Sequence, residues 1–508
     1  MAESVVNNRR IAKNTIFLYI RMIIVMLISL YTVRAYLAIL GEIDYGLYNV
    51  IGGVVAMFSF LNGTLAASSQ RYFSQALVNH DTREVSRVFC LNMTIYMIVI
   101  VAIVIFLETI GLWFVNNRMT IPNERMMAAN IVYQISVITF IVQMLTVSYN
   151  ALIISHEKMK AFAYIGILEA ALKLGFVFVL IKLPFDKLIS YSVFFFLLYL
   201  FVAGIYFFYC KKRFSESSFH FYWNKKEAFD MLGFSGWHLL GTLSVAVRSE
   251  GVNILINMFF NPAVNAARAI AFQIENAINQ LSHNFFTAVK PQMYKSYSNG
   301  EIDALNNLVL RSTLVCFLLV SLLSVPFYFN TSFILGIWLI EVPEYAIAFT
   351  QLALIGGLVD SVAGPAICPA LATGKIKNFY LITGILFILT LPIAYVFLKF
   401  GYDPTSTMVI SIVISIMTLC ARAFILVGLI HLPVKKYFYL LFKLISVTLF
   451  IGVCTYYAQR LLVNNLFALL FSTIVSTLLH GTLYLFFVCS KEDKIAILSI
   501  IRKKINIK

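Results

Sequence analysis

The sequence predicts an all-α integral membrane protein with fourteen transmembrane helices: two pseudo-symmetric six-helix lobes around a central cavity, plus a C-terminal helix pair. Three observations lead there. Hydrophobic residues make up 61% of the 508-residue chain and charged residues only 12%, against about 45–50% and about 25% in soluble domains, and mean hydropathy is +0.87. Apolar runs of about 20 residues, the length that crosses a hydrocarbon core, recur throughout. The lysines and arginines between these runs alternate between many and few.

In chain order the runs fall near 14–40, 45–70, 87–115, 128–154, 160–182, 187–210, 229–259, 262–289, 308–329, 344–372, 378–399, 405–430, 437–459 and 464–489. The first is too long for a signal-peptide core and lacks a small-residue cleavage site, so it is expected to stay as a helix. "GEID" and "FFNP" read as tight turns after the first and seventh helices. "FILGIWLI" suits the membrane interface, and Pro365 and Pro369 interrupt the tenth run. With the N-terminus placed in the cytoplasm, 27 of the 39 basic residues fall in inner segments and six in outer ones. Orientation follows the side richer in Lys and Arg, so both termini are expected to be cytoplasmic.

The predicted organisation is a cytoplasmic N-terminus (1–13), an N-lobe (14–210), a cytoplasmic loop (211–228), a C-lobe (229–430), two further helices (431–490) and a basic cytoplasmic tail (491–508). The tail is apolar and basic enough for an interfacial helix, though a solvated tail fits as well. The net charge of +16 needs no nucleic acid, because its excess lies where anionic headgroups would meet it. Seven scattered cysteines lack metal or redox spacing and read as small core residues. No catalytic residue, metal ligand or cofactor is expected, and no Walker motif supplies ATP chemistry.

Six cations lie inside apolar runs: Arg21, Arg34, Lys173, Arg248, Arg268 and Arg422. A charge at the bilayer centre costs at least about 2.5 kcal/mol, so such a residue faces a cavity or a partner. Arg21 and Arg34 lie roughly 9 and 10 Å either side of their helix centre, where snorkelling reaches the interface, and about 220° of rotation separates them. Arg248 lies within roughly 5 Å of its helix centre, with Arg422 little shallower. Glu108, Glu169, Glu250, Glu275 and Asp360 are the accompanying anions. Glu169 and Lys173 have the spacing of an i,i+4 ion pair. The surplus guanidiniums suit a phosphate or pyrophosphate, which arginine grips with two parallel hydrogen bonds. Arg21, Arg34, Arg248, Arg268 and Arg422 are therefore the candidate substrate-binding residues. Asp360, Glu275 and Glu250 are candidates for ion coupling by H+ or Na+, with ion pairing to the arginines as the alternative. Asp360 precedes "SVAGPAICPALATG", whose glycines and prolines kink a helix or expose carbonyls.

"DYGLYNVIGGVVAMFSFLNGTLAASSQRYFS" (Asp44–Ser74) and "NILINMFFNPAVNAARAIAFQIENAINQL" (Asn253–Leu281) resemble bacterial polysaccharide flippases. These are Wzx-type members of the multidrug/oligosaccharidyl-lipid/polysaccharide exporter (MOP) superfamily. The resemblance implies two six-helix lobes and alternating access. It also implies export of undecaprenyl-pyrophosphate-linked oligosaccharide to the periplasmic leaflet of the inner membrane for lipopolysaccharide or other surface polysaccharide synthesis. Polymerase or ligase machinery would be the neighbouring partner. Related lipid II flippases use cavity arginines of helices one, two and eight. Arg21 and Arg268 match two of these, and helix two offers only Arg71 at its end. A multidrug extruder of the same superfamily is the alternative. An integral-membrane glycosyltransferase would have to use Glu42 and Asp44 in a four-residue loop, and neither it nor a polymerase finds the outer domain it needs.

Overall fold

The computed structural model describes residues 2–488 apart from 57, 80, 118–120, 122, 261, 340–341 and 461–465; several side chains of the first helix, including those of residues 2–13 and Arg34, are also outside the described set. Among the described residues there is no β-strand. Eleven helices among the described residues are long and apolar enough to cross a membrane. Large apolar side chains such as Phe208, Phe442 and Leu449 are at least 66% exposed on helix exteriors, a surface that hydrocarbon covers and water does not.

The chain forms two compact units, Met1–Thr242 with Lys290–Asn299, and Leu243–Val289 with Gly300–Lys508. The first contains α1 (Ala2–Ala56), α2 (Ser59–Ala76), α3 (Thr82–Phe106), α4 (Leu112–Asn117), α5 (Met126–Ser155), α6 (Met159–Lys182), α7 (Lys187–Arg213) and the start of α8 (Lys225–Phe259). α5 packs on α7 and α1 on α6. A π-turn over Leu107–Gly111 joins α3 to α4. The Tyr133 hydroxyl donates to the Leu107 carbonyl at 2.7 Å, satisfying a group that the irregular turn frees.

One expected boundary moves. α1 runs unbroken through Gly41–Asp44, where "GEID" suggests a turn, and ends instead at Ala56, with α2 beginning at Ser59. No proline interrupts the stretch, a single internal glycine costs only about 1 kcal/mol, and Asp44 meets its partner from within the helix. That partner is Arg125, which binds Asp44 and Asp186 together. Asp186 also caps α7, accepting from the Leu188 and Ile189 amides at 3.0 Å each. Asp44 therefore ties α1 to the start of α7 through Arg125.

The segment after α7 folds back on the first unit. His156 Nε2 and Glu216 Oε1 are 2.8 Å apart, the His156 ring stacks on Phe214 at 4.1 Å, and Cys90 Sγ lies 3.2 Å from His220 Nδ1. Glu169 and Lys173 form the expected pair at 2.6 Å.

The second unit takes up α8 from Leu243 and continues with α9 (Pro262–Ser298), whose last turns from Lys290 belong to the first. The "FFNP" turn between them is where the sequence puts it. There follow α10 (Ile302–Phe329), α11 (Thr331–Trp338), α12 (Ala346–Ser361), α13 (Ala363–Thr373), α14 (Lys377–Lys399), α15 (Ser406–Ile430), α16 (Val434–Arg460) and α17 (Leu466–Leu483). "FILGIWLI" becomes the short α11, and the proline-interrupted run becomes α12 and α13, parted at Val362. Buried polar contacts hold the final pair to the end of α10 and to each other: Asn330 Nδ2 donates to Ser472 Oγ at 3.0 Å, and the Tyr484 hydroxyl meets Thr448 of α16 at 2.8 Å. In lipid, where burying apolar surface gains nothing, such hydrogen bonds and close packing hold helices together. Six of the seven cysteines form no disulfide among the described residues; Cys489 and the basic tail lie outside the described residues.

Burial alone would raise the Asp186 carboxyl, but the capping amides and the Arg125 guanidinium hold it below the usual carboxylate range. A carboxyl lowered by folding stabilises at neutral pH, and that stability is lost as pH falls through its folded value, below about 4. Arg125→Ala should thus cost on the order of 1 kcal/mol at pH 7, given side chains about one-third exposed. Melting of the detergent-solubilised protein should show the gap to wild type shrinking toward pH 3; a gap constant with pH would mean that Arg125 stabilises by packing alone.

Candidate functional site

Four helices of the second unit each turn one face onto a cavity of about 640 Å3. α8 supplies Val245, Arg248, Ser249 and Asn253; α9 supplies Arg268, Phe272, Glu275 and Asn276. α12 supplies Ala353, Gly356 and Asp360, and α15 supplies Met408, Ser411, Ile412 and Ser415. Spacings of three and four residues recur in every set, so each is one stripe of an α-helix.

The Arg248 guanidinium donates to Ser415 Oγ at 3.0 Å and lies over the Phe387 ring, 4.6 Å from its centroid. Arg268 donates to Asn253 Oδ1 and covers the Phe272 ring at 4.5 Å. Its Nε is buried without a hydrogen-bond partner among the described residues. Asn253 in turn donates to Glu250 Oε2 at 3.1 Å, so Glu250, Asn253 and Arg268 form a chain. Glu275 is buried and accepts from Asn279 Nδ2 at 3.5 Å. Gly357 gives it room, since a Cβ there would stand 3.1 Å from Glu275 Cγ. Asp360 is exposed on the cavity wall at the end of α12.

The structure thus brings together Arg248, Arg268, Glu275 and Asp360, with Glu250 attached through Asn253. Arg422 lies outside the cavity lining. It is buried beside Phe387 at 5.6 Å and Phe379 at 6.0 Å, and its Nε has no hydrogen-bond partner among the described residues. Within 4 Å, no carboxylate pairs with Arg248, Arg268 or Arg422 among the described residues. Their neighbours are aromatic rings, hydroxyls and an amide, which solvate a guanidinium without neutralising it.

Arg21 belongs to the first unit, with its guanidinium over the Phe162 ring at 4.4 Å. A Cβ on Gly166 would collide with Arg21 Nε, so the absent side chain is the slot this arginine occupies. Arg71 lies over Tyr72 and Phe234, each at 4.8 Å. The Arg34 side chain lies outside the described residues. Ser415, Asn253 and Phe387 are the site residues that sequence reasoning passes over, because an uncharged side chain in an apolar run carries no depth signal.

Residues 11–297, more than half of the chain, match the family model described as polysaccharide biosynthesis protein. No curated protein matches. Among solved structures, the chain is similar to a MATE protein carrying a point substitution, at TM-score 0.71 and 14% identity, covering 82% of this chain and 96% of that one. It is similar to an outward-facing multidrug resistance MATE family transporter of the MOP superfamily, at TM-score 0.67 and 15% identity, covering 81% and 94%. A third is a MOP superfamily transporter from Pyrococcus furiosus, whose binding pocket is described as having reverse polarity that suggests a different function; TM-score is 0.65 and identity 16%, covering 82% and 96%. At these identities the likeness is one of fold. The family model covers more than half of the chain and the fold agrees with it: this chain belongs to the polysaccharide biosynthesis protein family and has the fold of the MATE transporters.

Proposed function

We propose that the protein flips an undecaprenyl-pyrophosphate-linked oligosaccharide from the cytoplasmic to the periplasmic leaflet of the bacterial inner membrane, by alternating access, for surface polysaccharide or lipopolysaccharide synthesis. One observation carries this reading: the guanidiniums of Arg248, Arg268 and Arg422 have neutral partners, and none of the three has an ion pair among the described residues. An arginine buried so is poised to take an anion, and it holds phosphate oxygens in bidentate fashion. The cavity, about 640 Å3, has the size of a small-molecule site. It suits a pyrophosphate with its first sugar rather than a whole glycan.

Glu275 and Asp360 share that wall, so two charges of each sign line it. A proton or sodium ion on either carboxylate leaves more of the arginine charge uncompensated and favours the anion-loaded state. An inside-negative potential also drives an anion outward, by about 2.3 kcal/mol per charge per 100 mV. The second reading is a multidrug extruder, favoured by the same two carboxylates and by the MATE fold.

Arg248→Ala should lower surface glycan about tenfold or more while the protein still accumulates in the membrane, since it removes charge-assisted hydrogen bonds. Arg248→Lys should rescue only in part, as a lysine lacks the fork. Full export by the alanine variant would remove Arg248 from the mechanism. Tags on either terminus should be inaccessible from outside intact cells; surface labelling of one would overturn the proposed orientation. In reconstituted vesicles, Asp360→Asn or Glu275→Gln should abolish the response of flux to whichever proton, sodium or electrical gradient drives the wild type. If both variants keep that response, neither carboxylate couples the ion.

A further inference from the structure

The Phe387 ring in α14 is shared by two guanidiniums, Arg248 from α8 at 4.6 Å and Arg422 from α15 at 5.6 Å. At 1.5 Å per residue, counted from the helix ends at the α8–α9 and α14–α15 turns, Arg268 lies roughly 9 Å deep, Arg248 roughly 16 Å and Arg422 roughly 24 Å. Phe387 falls between the last two, at roughly 18 Å. The bond from Arg248 to Ser415, which is roughly 14 Å deep on α15, shows that these helices share a level. The three arginines form a ladder along the second unit, with Arg248 within electrostatic reach of both others. Successive steps of about 8 Å let a phosphate group leave one guanidinium as it meets the next. Arg422 ends the ladder outside the cavity, buried and with its Nε unpartnered among the described residues.

We propose that the second unit seats a phosphate or pyrophosphate group in two successive positions, one between Arg248 and Arg268 in the cavity and one at Arg422, and that the Phe387 ring is the rest both guanidiniums occupy until the anion draws each away. This rests on the anionic-substrate reading above. A ring face attracts a guanidinium less strongly than a phosphate does, so the anion displaces the ring. The ring in turn keeps each arginine from pairing with Glu275 or Asp360 while its seat is empty.

The test uses the full chain in lipid nanodiscs and vesicles. Calorimetry measures binding of inorganic pyrophosphate and of geranyl pyrophosphate, and dithionite quenching measures flipping of a fluorescently tagged geranyl pyrophosphate. Arg248→Gln should weaken binding of both probes by about tenfold or more. Arg422→Gln should bind them within about twofold of wild type but flip the tagged lipid about tenfold more slowly, a split that marks a later step. If that variant does not fold, Arg422→Lys carries the same test, since it keeps the charge and loses the fork. Phe387→Leu should bind at least as tightly as wild type and flip slowly, and Phe387→Tyr should restore flipping. Equal losses of binding in Arg248→Gln and Arg422→Gln would reduce the two seats to one. Wild-type flipping by Phe387→Leu would remove the ring from the mechanism. Binding of inorganic pyrophosphate without the geranyl form would overturn a lipid headgroup as the source. A wild type that binds neither probe defeats the anionic reading itself, whereas wild-type binding that Arg248→Gln weakens and Arg422→Gln leaves intact, with flipping unchanged in the latter, defeats the ladder alone.

Discussion

A guanidinium inside hydrocarbon must be solvated by the protein, and this constraint organises both units. Arg125, at the end of its bundle, takes two carboxylates and ties α1 to α7. Arg21 takes a glycine slot and an aromatic face. Arg248, Arg268 and Arg422 take rings, a hydroxyl and an amide. The first solution cancels charge and makes structure. The others keep the charge available, and only such an arrangement can attract an anion into a bilayer-deep site.

The same solvent explains what holds the helices. Lipid competes well for leucine and phenylalanine faces, so specificity comes from small polar groups buried between helices. Ser69, Asn92 and Tyr96 join α2 to α3 in this way. Asn330, Ser472, Thr448 and Tyr484 do so for the last two helices. These contacts carry little hydropathy signal, yet they decide which helix lies beside which.

What the sequence discloses follows from this division. Length and apolarity mark the helices because hydrocarbon thickness imposes both, and the "FFNP" turn and the break near Pro365 are readable because proline removes a backbone donor. The "GEID" turn misleads, since polarity alone does not end a helix and Asp44 has an ion pair to make. Depth places Arg248, Arg268, Glu275 and Asp360 within the membrane, and the structure finds them on one wall. Depth says nothing of azimuth, so Arg422, equally embedded, turns out to lie behind that wall. Ser415 meets Arg248 across 167 residues of chain, a pairing set by tertiary packing that no local pattern encodes.

The interruption at Val362 has a mechanical consequence. Its backbone lies near φ −93°, ψ 0°, where α12 stops and α13 begins one residue later. The Ser361 carbonyl already accepts from Ser282 Oγ at 3.2 Å, so an acceptor at the break is satisfied from the side. A joint lubricated in this way can flex without exposing a bare carbonyl to oil. Asp360 stands at its edge and would ride on any such flexing, so a small change in bend angle becomes a displacement of charge along the cavity wall.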